Sequence, residues 1–138
     1  MKVTFFIGYD AKEDIAYRVC KYSLLKRASI KTKVLSLKLD ELIAKKLYTR
    51  NIDPLASTQF TYSRFLVPKI MNYKGWAVFC DCDFIFLGDV SKLIKNLDSS
   101  KAVYCVKHDY TPKEKHKMDG QKQTIYPRKN WSSFILYN

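Results

Sequence analysis

The stretch Trp76-Ala77-Val78-Phe79-Cys80-Asp81-Cys82-Asp83-Phe84-Ile85-Phe86-Leu87-Gly88 decides how the chain is read. It is a hydrophobic run interrupted only by two aspartates. Its first half is short, apolar and bounded by glycine, the composition of a strand buried on both faces. Unpaired carboxylates are costly in such a setting, so two of them at the end of the strand require a purpose. Spaced i, i+2 on extended backbone, Asp81 and Asp83 project to one side and converge on one point, where they suit a hard divalent cation that takes oxygen ligands. The alternative is that the strand ends before the pair and both aspartates sit in a solvated turn.

Toward the N-terminus, Lys2 to Gly8 is nearly continuous in Val, Thr, Phe and Ile and reads as another buried strand. Asp10 with Glu13 three residues later is a capping-box-like helix start, and Ile15, Ala16, Val19, Cys20 and Leu24 recur at helical spacing through Arg27. Val34 to Leu39 alternates as a second strand, and Asp40 to Leu47 reads as a short helix. This βαβ opening sets an α/β expectation. Tyr48 to Ala56 is a loop; Ser57 then caps a helix that turns Phe60, Phe65, Leu66, Ile70 and Met71 to a core and kinks at Pro68. Toward the C-terminus, Ser91 to Leu97 is a short helix, Ala102 to Val106 a buried strand, Lys107 to Asn130 a long basic loop, and Trp131 to Tyr137 a strand.

The 138 residues are 47% hydrophobic and 28% charged, with four Gly and four Pro, which excludes disordered, collagenous and low-complexity classes and suits a single domain, 1–138. Net charge is +12, from 25 Lys and Arg against 13 Asp and Glu, and predicts attraction to something anionic: nucleic acid, anionic lipid or the phosphates of a ligand. The four cysteines, at 20, 80, 82 and 105, form no C-x-x-C pair and read as buried reduced thiols of a cytoplasmic protein. The apolar segment at the N-terminus is too short for a signal peptide, and no uncharged stretch is long enough to span a bilayer.

A D-x-D at a strand end serves two chemistries. In phosphatases of the haloacid-dehalogenase type the first aspartate is a nucleophile and the second a general acid; in nucleotide-sugar transferases the pair holds a metal against a leaving diphosphate. The phosphatase pattern sits near the N-terminus and is followed by a small or hydroxyl residue and later acidic ligands, whereas bulky Phe84 and Ile85 follow here. The transferase chemistry is preferred.

Four segments taken in order then resemble GT-A glycosyltransferases. They are Gly8-Tyr9-Asp10 after the first strand, Ser57 to Leu66 with Arg64, Val78 to Val90 with the D-x-D, and the closing Trp131-Ser132-Ser133-Phe134-Ile135-Leu136-Tyr137-Asn138. The group they are most similar to is the retaining glycosyltransferase family 8, which includes glycogenin and bacterial lipopolysaccharide galactosyltransferases. The resemblance implies a Rossmann-like three-layer α/β/α sandwich with a mostly parallel central sheet. It implies a UDP- or GDP-sugar bound by Gly8, Tyr9, Asp10, Arg64, Asp81, Cys82, Asp83, Gln123, Asn130 and Ser133, with manganese or magnesium on Asp81 and Asp83. No catalytic nucleophile is assigned; same-face attack assisted by the leaving phosphate is what the resemblance implies.

Family members continue past the strand at Phe134 to Tyr137 with acceptor contacts and a further metal ligand, so the chain is expected to lack a C-terminal part. The acceptor is expected to be a saccharide, a glycolipid or a protein. Peripheral association with an anionic membrane is compatible with the charge. A basic nucleic-acid-binding module, using lysines and tyrosines for backbone contact and stacking, is the competing class; no nucleic-acid motif supports it, and nucleic acid is not an expected partner.

Overall fold

Val3-Thr4-Phe5-Phe6-Ile7-Gly8 is buried at every position, and so is Ala77-Val78-Phe79-Cys80. Strands buried on both faces belong in the middle of a parallel sheet, and that is where these two lie. The computed structural model describes residues 2–108, 122 and 129–138. Along them run β1 (Val3–Gly8), α1 (Asp14–Arg27), β2 (Thr32–Leu37), α2 (Leu39–Ala44), α3 (Val67–Ile70), β3 (Ala77–Cys80), α4 (Ser91–Ile94), β4 (Val103–His108) and β5 (Lys129–Tyr137). Short 3-10 turns occupy Ala11–Glu13 and Ser63–Leu66.

The strand order is β2-β1-β3-β5-β4. β1 pairs in parallel with both β2 and β3, whereas β5 runs antiparallel to β3 and to β4. Four of the five strands therefore share one direction, the mostly parallel α/β sheet expected from the sequence. The core is built on Phe5, Ile7, Leu24, Phe60, Val67 and Phe79, all fully buried. Burying each such large side chain contributes about 1.5–3 kcal/mol.

The C-terminal ends of β1 and β3 lie side by side, with Ile7 opposite Cys80, so Gly8-Tyr9-Asp10 and Asp81-Cys82-Asp83 leave the sheet at the same edge. In open parallel sheets this edge is where ligand crevices form.

Several local expectations are corrected. β2 begins and ends two residues earlier than its alternation suggested, and α2 covers Leu39–Ala44 rather than 40–47, because Lys46 adopts a left-handed conformation (φ 55°) that ends the helix. The helix expected from Ser57 is broken into turns, a 3-10 segment and the one-turn α3, with Pro68 near its start, where a missing N–H is tolerated. The break rotates the segment: Phe65 is 58% exposed instead of facing the core, and Arg64 is 8% exposed in its place. Pro68 has no N–H to offer the Arg64 carbonyl, which instead accepts the Tyr137 hydroxyl at 3.1 Å.

The strand expected at Ala102–Val106 as buried is β4, an edge strand whose Val103 and Val106 are each 51% exposed. β4 extends to His108 and β5 begins at Lys129, so the long loop is shorter at both ends than its composition suggested. The rest of that loop, at 109–121 and 123–128, lies outside the described residues.

Candidate functional site

Cys80, the last residue of the β3 ladder, pairs with Phe134 of β5. The backbone stays tethered one residue further, because Asp81 N–H donates to Ser133 O at 2.8 Å, and then turns at Cys82 and Asp83. The strand thus ends before the pair, as the alternative expected, but only Asp83 sits exposed in the turn, while Asp81 is half-buried and still tethered to β5. The alternation nevertheless survives the turn. Cys80 and Cys82 are buried, with 0% and 1% exposure, while Asp81 and Asp83 both line one cavity of about 440 Å3 together with Phe84, Ile85, Trp131 and Ser133.

Arg64 fixes the first of these carboxylates. Its Nη1 lies 3.1 Å from Asp81 Oδ1 and also donates to Ser132 O at 2.8 Å, while its Nε donates to Phe60 O at 3.2 Å. The guanidinium stacks over the rings of Phe79 and Phe60, with its carbon 5.0 and 5.6 Å from their centroids. A buried cation beside two aromatic rings, with its donors assigned to two carbonyls and a carboxylate, is a fixture of the fold. The Ser132 contact depends on an irregularity in the sheet. The β4–β5 register jumps from Cys105↔Ile135 to Val106↔Trp131, leaving Ser132, Ser133 and Phe134 without β4 partners at the site. Bulges of this kind re-aim backbone and side chains next to binding sites.

The neighbouring edge is organised differently. Gly8 ends β1 beneath Phe60: a Cβ placed there would lie 2.6 Å from the ring, so the residue must be glycine for that packing to exist. Asp10 is 6% exposed, and its carboxylate accepts from Lys12 N–H at 3.0 Å and from Gln59 N–H at 3.2 Å. It thereby caps the turn after β1 and ties it to the segment carrying Arg64. Asp10 lines a second cavity, about 260 Å3, with Lys12, Tyr48, Asp53, Gln59 and Tyr62. Tyr9 lines neither cavity; its hydroxyl donates to Asp14 Oδ1 at 3.0 Å, a bond that raises its pKa, and its ring meets Tyr17 edge-on.

Of the residues expected to bind a nucleotide sugar, the fold gathers Asp81, Asp83 and Ser133 around one cavity and places Arg64 on Asp81. Asp10 lines the adjoining cavity. Cys82 turns inward, where burial and its bond to Glu13 Oε2 at 3.2 Å push its thiol pKa well up. Gln123 lies outside the described residues, and so does the side chain of Asn130, whose backbone pairs with Lys107. Sequence reasoning missed three contributors: Ser132, which holds Arg64; Glu13, which holds Cys82; and Trp131, which lines the carboxylate cavity. Ser132 gave no signal, because only the bulge brings its carbonyl to the arginine.

No group of three or more His, Cys, Asp or Glu side chains suited to a metal occurs among the described residues. Cys20, Cys80 and Cys82 are buried free thiols, whereas Cys105, expected to be buried as well, is only half-buried because it lies on the edge strand β4; Cys20 and Cys80 meet at 4.0 Å behind Asp81. No helix among the described residues is long and apolar enough to cross a membrane.

The backbone is similar over 99% of this chain to the apo structure of the bifunctional glycosyltransferase WbbM, with a TM-score of 0.68 and 14% identity, covering 31% of that chain. It is similar over its whole length to the apo structure of mouse xyloside xylosyltransferase 1, with a TM-score of 0.59 and 13% identity, covering 67% of that protein. The chain has the GT-A fold. In sequence it is 52% identical over 133 residues to Protein CDI of Arabidopsis thaliana; the match takes in 96% of this chain and 51% of that protein. The GT-A chain thus spans about half the length of the curated relative it matches. No protein-family model matches it.

Proposed function

We propose that the chain binds a nucleotide-diphosphate sugar, UDP- or GDP-linked, across the ends of β1 and β3 and takes part in transferring its glycosyl group to a carbohydrate or glycolipid acceptor. The observation that carries this reading is the pair Asp81 and Asp83, both lining one cavity at the end of a central parallel strand, with Asp81 set by a buried arginine. Asp81 and Asp83 would hold manganese or magnesium as two hard oxygen donors. A cation held by the two carboxylates would supply positive charge against the leaving diphosphate.

The chain's own residues do the positioning. Arg64 holds one Asp81 oxygen and so orients the carboxylate before any ligand arrives, which removes the cost of ordering it on binding. Asp83, exposed in its turn, is free to swing toward the ligand. Asp10 spends its two oxygens on the Lys12 and Gln59 amides and therefore shapes the adjoining cavity, which suits the ribose and base, more than it contacts them. Transfer with retention of configuration follows from the likeness of the sequence motifs to the retaining family 8 enzymes.

Calorimetry with UDP and GDP, each with and without manganese, tests the reading. Binding of at least one nucleotide that requires the metal is the expected result. A folded chain that binds neither in its presence refutes it.

A further inference from the structure

After β3 the chain runs from Asp81 to Asp89 without entering a strand or a helix, and this stretch carries Asp83. Among the described residues, no backbone-to-backbone hydrogen bond involves residues 82–88. A segment without such bonds ordinarily opens with ease, yet Cys82 and Phe86 are both buried. Side chains must hold it in place.

They come from the inward side of α1. Ser23, buried in that helix, donates its hydroxyl to Cys20 O at 2.9 Å, and its Oγ accepts the Phe86 N–H at 3.0 Å. With its proton committed to the helix's own carbonyl, the hydroxyl is fixed as an acceptor for Phe86. The Phe86 ring packs edge-on against Phe5 of β1, with 6.0 Å between centroids, and lies 6.4 Å from Phe134 of β5. The other ties between α1 and this stretch run through sulfur: Cys82 Sγ donates to Glu13 Oε2 at 3.2 Å, and Cys20 Sγ lies 4.0 Å from Asp81 O. Thiols are weak hydrogen-bonding groups, which leaves Ser23 as the oxygen that secures the main chain here.

Asp83 stands between these anchors, one residue after Cys82 and three before Phe86. Its side chain is exposed on the cavity that Asp81 also lines, so its reach is set by the backbone from which it projects. Asp81 has its own brace in Arg64 and the Ser133 carbonyl. Ser23 itself lines neither cavity of the site and can influence it only through the chain it holds.

We propose that Ser23 is a positioning residue for the metal site: by holding the Phe86 amide it fixes the backbone on which Asp83 stands, so that both carboxylates address one cation. This role rests on the donor-binding reading above. The test uses the whole chain as wild type, Ser23→Ala and Ser23→Thr, with two readouts. Amide hydrogen exchange without ligand reports the tether. Manganese affinity in the presence of UDP or GDP, read from the paramagnetic resonance signal of the free ion, reports the site.

In Ser23→Ala the Phe86 amide should exchange about tenfold faster while the amides of Phe5, Ile7 and Val78 keep their protection, and manganese should bind about fivefold more weakly, the scale of one hydrogen bond. Ser23→Thr keeps the hydroxyl and should match the wild type in both. Unchanged exchange at Phe86 in Ser23→Ala overturns the proposal, as does Ser23→Thr binding manganese as weakly as Ser23→Ala. So does a loss of protection that spreads to β1 and β3, which would make Ser23 a support of the core alone. Nucleotide-dependent manganese binding that Ser23→Ala leaves at wild-type strength refutes the role of Ser23 and leaves the donor reading standing. A wild-type chain to which neither nucleotide brings manganese refutes the donor reading itself, and the metal role of Ser23 falls with it.

Discussion

The ends of β1 and β3 both carry aspartate, lie next to each other on the same edge of the sheet, and use it in opposite ways. At the end of β1, Asp10 is nearly inaccessible and both its oxygens receive backbone N–H groups, so its charge is spent on holding two loops together. At the end of β3, the inward positions are filled by Cys80 and Cys82, and the two aspartates are left on a cavity, one braced by Arg64 and one in solvent. The lesson is that an acidic residue at a strand end is read by what already occupies its oxygens. Asp10 is architecture first. Asp83 has capacity to spare.

Substitutions that sharpen this contrast differ in size. Arg64→Ala should have the largest effect on stability, about 3 kcal/mol, because it strips a buried guanidinium from two carbonyls and a carboxylate and leaves a cavity beside the Phe60 and Phe79 rings. Urea unfolding measures it; a loss near zero would mean that Arg64 is not the brace described. Gly8→Ala should cost about 2 kcal/mol, since the new methyl enters the Phe60 ring and the core must shift to admit it. A Gly8→Ala variant as stable as wild type would break the link between the β1 end and the Phe60 segment.

Asp10→Ala should cost about 1–1.5 kcal/mol through the lost cap and the freed Gln59 amide, and the same urea experiment reads it. The smallest effect is electrostatic. Asp89 joins the end of α1 to the start of α4 through Ser29 and Ser91, and those hydrogen bonds hold its pKa well below the usual carboxylate value. Its contribution is therefore complete above about pH 4 and fades as pH falls through its lowered pKa. In melts taken from neutral to acidic pH, Asp89→Asn should start slightly below wild type and converge with it; a gap that widens toward low pH would contradict this.

Much of this organisation was legible in the residues. Continuous burial of Val3–Gly8 and Ala77–Cys80 follows from unbroken apolar runs, and the α/β order follows from the placement of helices between them. The aspartate pair stood out because two charges interrupt an otherwise apolar run, and the fold adds that both line one cavity. What stayed hidden was set by contacts distant in sequence. Helical spacing put Phe65 inside, and it is exposed because Pro68 breaks the helix and Tyr137, 73 residues away, takes the carbonyl left over. Edge position likewise cannot be read from Val103-Tyr104-Cys105-Val106, whose composition suits a central strand equally well.

The comparison turns most directly on Asp83→Asn beside Asp10→Asn, with thermal melts of each in the presence and absence of manganese plus UDP or GDP. Removing one of two neighbouring carboxylates relieves their repulsion in the free protein, so Asp83→Asn should melt at or slightly above the wild type without ligand and gain nothing from metal and nucleotide. Asp10→Asn should melt lower without ligand and still be raised by them. If Asp83→Asn melts below wild type on its own yet still rises with manganese and nucleotide, Asp83 is a structural residue of its turn and the assignment of the metal to this pair is wrong.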